Sequence, residues 1–131
     1  MDNVVFHSQR LLFVDDEESI RAMLPAILKG QGFDLKTAAS VPQALQKIRR
    51  HKFDGLLAAL NIREPHDGYA IVGAMRQVNP RCVAIILTAY PDFCRAVEGI
   101  HYDIDDYFVK PVDIDALVAT LRRRLAARLS H

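Results

Sequence analysis

The sequence predicts an α/β domain: a parallel sheet of five strands covered by helices on both faces. Three observations predict it. Short, continuously apolar runs alternate with longer stretches of helical periodicity, the pattern of strands buried on both sides. Turn signals, capping residues and prolines separate the two kinds of segment. The chain has 131 residues without a linker, internal repeat or low-complexity stretch, which suits one domain over 1–131 with its core at about 10–128. A chain of that length buries about two-thirds of its unfolded surface.

The elements follow in order. Leu11–Val14 is apolar throughout and stops at Asp15-Asp16-Glu17-Glu18, as a buried strand does. Ile20, Met23, Leu24, Ile27 and Leu28 then recur at helical spacing until Gly30 and Gly32. Pro25 sits inside that helix and removes a backbone donor, which predicts a kink or a late start. Phe33–Ala39 is the second strand. Ser40-x-x-Gln43 forms a capping box, and Pro42 lies in the first turn, where a missing N–H costs little. Ala44, Leu45 and Ile48 face inward from the helix that follows.

Gly55–Leu60 is the third strand, and Asn61–Gly68 a loop with Pro65 and Asp67. Tyr69–Val78 is a helix ended by Asn79-Pro80. Val83–Leu87 is the most apolar strand and ends at Thr88. Pro91-Asp92 opens a weaker helix to about Ile100. Asp105–Val109 is the fifth strand, closed by Lys110-Pro111. Asp113 caps a last helix whose stripe is Ile114, Leu117, Val118, Leu121 and Leu125.

Composition narrows the function. Half the residues are hydrophobic and a quarter charged, as in ordinary globular domains. Seventeen Lys+Arg against 16 Asp+Glu leave a formal charge of +1, which argues against a dedicated nucleic-acid binder. Cys82 and Cys94 make no disulfide framework and read as small neutral residues. The start MDNVVFHSQR lacks the order of a signal peptide, and no apolar run reaches the ~18 residues of a membrane span. A cytoplasmic location with reduced thiols is expected. His7, His51, His66, His101 and His131 show no metal-ligand spacing. Arg122, Arg123, Arg124 and Arg128 crowd the last helix. They read as a solvated face complementing the helix C-terminus, in preference to a contact with DNA or a partner.

In an open parallel sheet the functional crevice lies beyond the carboxyl ends of the strands. The residues delivered there are Asp15 and Asp16, then Ala59 to Asn61, then Thr88, then Lys110. Two adjacent carboxylates call for a cation, and Mg²⁺ takes oxygen ligands with only one or two of them from carboxylates. Thr88 and Lys110 suit a phosphoryl group beside it. The competing reading of the acidic pair is a solvated helix start complementing the dipole. An X-Pro bond after Lys110 is one that can be cis and direct the lysine.

Over nearly its whole length the chain resembles the receiver (CheY-like) domain of a two-component response regulator. LLFVDDEE at 11–18, FDGLLAALNI at 53–62, IILTAY at 85–90 and DDYFVKP at 105–111 carry the resemblance. It implies a flavodoxin-like, doubly wound sheet of order 2-1-3-4-5 with five helices. It implies Asp16 as a direct Mg²⁺ ligand, Asp15 mostly through water, and the backbone carbonyl of Asn61 completing the site. Thr88 and Lys110 would bind the phosphoryl group, and Tyr107 falls on the aromatic position that swings inward on activation. The implied partners are a sensor histidine kinase or phosphotransfer protein and a downstream effector or output domain, without membrane or direct nucleic-acid contact. A homodimer through the helix predicted over 91–100, the fifth strand and the last helix also belongs to the family's repertoire.

One position departs. The family's phosphoacceptor Asp ends the third strand, and aligning FDGLLAALNI puts Ala59 there. A methyl group cannot attack phosphorus or ligate a metal, so Mg²⁺ binding should be weakened, and the self-catalysed phosphotransfer and dephosphorylation of the family abolished. Asp54 is no replacement, being about 15 Å away at ~3.3 Å per residue. The remaining machinery is intact, which favours an engineered Asp→Ala change over a natural pseudo-receiver acting as a phosphorylation-independent interaction module. The loop after the third strand is longer by one residue than the family pattern, with Arg63 and Asp67 where Pro and Gly usually stand.

Overall fold

A computed structural model describes residues 8–89 and 103–129. The described elements are β1 (Arg10–Val14), α1 (Glu18–Gly30), β2 (Asp34–Ala38), α2 (Val41–Arg50), β3 (Gly55–Ala59), α3 (Asp67–Val78), β4 (Val83–Thr88), β5 (Asp106–Val109) and α4 (Ile114–Leu129). The strands form one parallel sheet of order β2-β1-β3-β4-β5. This is the expected topology, with four helices among the described residues. The helix predicted over 91–100, Cys94 and His101 lie outside them, as does His7.

Each face of the sheet has its own core. Leu12, Val14, Leu56, Ala58 and Ile86 pack under α2 and α3. Leu11, Phe13, Leu57, Ile85 and Leu87 pack under α1 and α4, against Leu24, Leu28, Leu117, Leu121 and Leu125. Alternation along each central strand sends successive side chains to opposite cores, so the runs are apolar throughout.

The caps follow the sequence closely. Ser40 Oγ accepts from the Gln43 N–H at 3.2 Å. Gln43 Oε1 in return accepts from the Ala39 N–H at 2.8 Å, one residue ahead of the usual capping-box donor. Asp113 Oδ1 accepts from the Ala116 N–H at 3.1 Å. Of the kink or late start expected of α1, the late start does not occur: the helix begins at Glu18 and runs through the buried Pro25. The ring leaves the Arg21 carbonyl without its helical donor, and packing of Leu24, Pro25 and Leu28 outweighs that loss.

The arginines of α4 also depart. Arg122 and Arg123 are exposed, yet Arg122 reaches the Gln31 carbonyl at 3.0 Å and lies 5.6 Å from the Phe33 ring centroid. Arg124 pairs with Asp106 at 3.6 Å and Arg128 with Asp54 at 3.0 Å. The side chain of Arg128 is only 14% exposed. A solvated face is therefore the wrong description for Arg124 and Arg128. A helical arginine's long stem can lie along a neighbouring strand while its head finds a carboxylate there, and one-dimensional spacing does not contain that neighbour.

Candidate functional site

Register brings the carboxyl ends of four strands to one edge. Val14 stands opposite Ala38 and Ala58, Ala59 opposite Leu87, and Thr88 opposite Val109. Asp15, Ala59, Thr88 and Lys110 therefore leave the sheet at the same end. Asp15 and Ala59 are each 1% exposed and Thr88 is 3% exposed, whereas Asp16 is exposed.

Asp15 is the centre of this edge. Its Oδ2 accepts from Lys110 Nζ at 2.8 Å and its Oδ1 from the Glu17 N–H at 3.0 Å. Arg21 donates to its backbone carbonyl at 2.9 Å. Lys110 also stands 3.8 Å from Glu17 Oε1. The Lys110–Pro111 peptide is cis, and the Lys110 N–H donates to the Thr88 carbonyl at 2.9 Å. Burying a carboxylate is costly unless its oxygens find polar partners, and here they are one ammonium and one backbone amide.

The loop after β3 is supported from within. Asp67 Oδ2 accepts from the Arg63 and Glu64 N–H groups at 3.1 and 2.9 Å. Asn61 Oδ1 accepts from the N–H of His66 at 2.9 Å, and His66 lies in the left-handed region with φ 67°. The Gly68 N–H then donates to the Leu60 carbonyl at 2.8 Å. A Cβ on Gly68 would overlap the carbonyl oxygen of Ala59 and meet Leu60 Cα at 3.0 Å. Glycine is required because α3 starts directly against the end of β3. α3 includes Asp67 and Gly68, which the sequence reading assigned to the loop.

Tyr107 is half-buried and packs on the α2–α3 side of the sheet. Its hydroxyl lies 2.9 Å from that of Tyr69, which is 1% exposed. Sequence reasoning missed Tyr69. Its signal was modest: an aromatic directly after the glycine that closes the loop.

The donor set for a cation is short. Among the described residues no cluster of three or more His, Cys, Asp or Glu side chains is placed to hold a metal. Both Asp15 oxygens are engaged, Ala59 offers none, and the Asn61 side chain is turned to His66. The Asp16 carboxylate and the Asn61 carbonyl remain, with an ammonium already neutralising Asp15. These residues do not fit a firmly held Mg²⁺, which needs near-octahedral oxygen ligation.

The amino ends of the strands carry the opposite charge. A cavity of about 550 Å³ there is lined by Arg76, Arg81, Arg123, Arg124 and Arg128. A second, of about 680 Å³, is lined by Arg49, Arg50, His51 and Lys52. The His51 imidazole is held below its ordinary pKa, first by partial desolvation and then by Lys36, Lys47, Arg10 and Arg50. Among the described residues no helix is long and apolar enough to cross a membrane.

The family model for the response regulator receiver domain matches residues 11–122. The transcriptional regulatory protein ZraR of Escherichia coli is 38% identical over 116 residues, covering 88% of this chain and 26% of ZraR. The DNA-binding response regulator MtrA of Mycolicibacterium paratuberculosis is 34% identical over 117 residues, covering 89% of this chain and 51% of MtrA. The chain thus spans about a quarter to a half of these relatives. A CheY-like receiver domain from Methanospirillum hungatei superposes with a TM-score of 0.87 at 22% identity, covering 95% of this chain and 98% of that one.

Proposed function

The chain belongs to the response regulator receiver family, and from that premise we propose that Ala59 occupies the phosphoacceptor position of a receiver held in its unphosphorylated conformation. The observation that supports this reading is the pairing of Lys110 with Asp15 at 2.8 Å beside a buried methyl group. An ammonium that would serve a phosphorylated carboxylate turns to the nearest remaining one.

With Asp at position 59, a carboxylate oxygen would attack the phosphorus of the donor. The bond from phosphorus to the donor breaks, and an acyl phosphate forms on the side chain. Lys110 then exchanges Asp15 for phosphoryl oxygens, the Thr88 hydroxyl donates to another, and Tyr107 moves with Thr88. In the chain as it stands the first step is missing, so it catalyses neither its own phosphorylation nor the reversal. The oxygen donors for Mg²⁺ fall short until position 59 supplies another.

The phosphoryl source in this reading is a sensor histidine kinase or phosphotransfer protein in the cytoplasm. The names of ZraR and MtrA, and the share of them that this chain spans, support an effector or output segment as recipient of the signal. A homodimer through the helix predicted over 91–100, β5 and α4 also belongs to this reading. The intact set of Asp15, Asp16, Thr88, Tyr107 and Lys110 favours a replaced aspartate. The closed Lys110–Asp15 pair also accommodates a second reading, a natural pseudo-receiver that binds partners without phosphoryl input.

The test is intact mass after acetyl phosphate and Mg²⁺, on this chain and on Ala59→Asp side by side. A gain of one phosphoryl group by the variant alone supports the receiver reading. An unmodified variant that remains folded rejects it in favour of the phosphorylation-independent module.

A further inference from the structure

We propose that Tyr69 is a positioning residue for Tyr107, its hydroxyl holding the ring of the edge strand against the start of α3. Under the phosphoacceptor reading, movement of Tyr107 then has to break this pair first, and that consequence alone rests on that reading. The pairing itself concerns the chain as it stands, with Ala59 in place.

Tyr69 is the fixed member. Gly68 sets α3 directly against the end of β3, where a Cβ would overlap the Ala59 carbonyl oxygen. The next residue is pressed onto the sheet, and Tyr69 is 1% exposed. Its N–H donates to the His66 carbonyl at 3.0 Å. Its ring meets the His66 imidazole edge-on, with centroids 5.8 Å apart and planes at 63°. A tyrosine buried this far needs a polar partner for its hydroxyl, which a phenylalanine would not.

Tyr107 is the movable member. β5 is an edge strand of four residues, paired to β4 on one side. Its residues are half-buried or exposed, unlike those of the wholly buried β3 and β4. Asp106 is held from the α4 side by Arg124 at 3.6 Å. Tyr107 points the other way, into the core under α2 and α3. There its hydroxyl lies 2.9 Å from that of Tyr69, the length of an ordinary O–H···O hydrogen bond. A neutral hydrogen bond of this kind shifts an equilibrium about three- to tenfold. That is enough to set where a half-buried ring rests and too little to bar its movement.

The experiment uses the whole chain with labelled tyrosine, phenylalanine and histidine rings, and reads nuclear Overhauser effects between the rings at positions 69 and 107. Tyr69→Phe and Tyr107→Phe each delete one hydroxyl and keep both rings. Each should lower the ratio of docked to released ring at position 107 about three- to tenfold, seen as a weakened effect between the two rings. Effects between the ring at position 69 and His66 should persist in both, because α3 stays in place. The double variant should release the ring no further than either single one, since both remove the same bond. A ring at position 107 that stays docked in either single variant would overturn the proposal. So would additive release in the double variant, or loss of the His66 contact together with the contact between the two rings.

Discussion

The two ends of the sheet handle charge in opposite ways. At the carboxyl ends one buried carboxylate, Asp15, is matched by one ammonium and one backbone amide. At the amino ends several part-exposed arginines meet carboxylates instead, Arg76 at Asp105, Arg124 at Asp106 and Arg128 at Asp54. The first is a single pair around a buried carboxylate, and the second a set of part-exposed pairs. A formal charge of +1 for the chain hides this, because net charge says nothing about separation.

The comparison breaks hardest at Gly68. Gly68→Ala places a methyl against the Ala59 carbonyl. Prying α3 from β3 should cost about 3 kcal/mol, since the obstacle is backbone and cannot rotate away. Urea unfolding measures it, and a loss below ~1 kcal/mol would mean that this end is less rigidly closed than its distances imply.

Next comes Lys110→Met. It leaves Asp15 buried with only the Glu17 amide, and should cost about 2 kcal/mol, less than a fully buried pair because Lys110 is 20% exposed. Adding Asp15→Asn should recover part of that loss, because the uncompensated charge is then gone. A double variant no more stable than Lys110→Met would show that the pair is not what satisfies this end.

At the other pole Arg128→Gln should cost only about 1 kcal/mol. Asp54, which it abandons, keeps the Arg10 N–H at 2.8 Å and is one-third exposed. A loss as large as that from Lys110→Met would erase the distinction between a buried pair and a part-exposed one.

The smallest effect is at His51. Its pKa is lowered in the folded chain, so below pH ~6.5 the unfolded chain takes up the proton more readily. Its contribution to stability is therefore present above that pH and lost as pH falls. Between pH ~7.5 and ~5.5 the original chain should lose more stability than His51→Gln. Parallel losses would remove the evidence that Lys36, Lys47, Arg10 and Arg50 act on that imidazole.

The order of elements was legible because its signals are local. Leu11–Val14 and Val83–Leu87 are apolar on both faces, Ser40 and Asp113 cap as their side chains dictate, and Asn79-Pro80 ends α3. Strand order and the gathering of Asp15, Thr88 and Lys110 at one edge followed from the parallel connection rules and the family resemblance. Only tertiary structure decided which charge meets which. Lys110 and Asp15 are 95 positions apart, and Arg128 and Asp54 are 74 apart. The pairing of Tyr69 with Tyr107 and the contact of Gly68 with Ala59 likewise depend on how α3 lies against the sheet. Periodicity reports which face of an element is buried. It does not report which side chain of a distant element stands opposite, and that neighbour fixes whether a buried charge finds a partner.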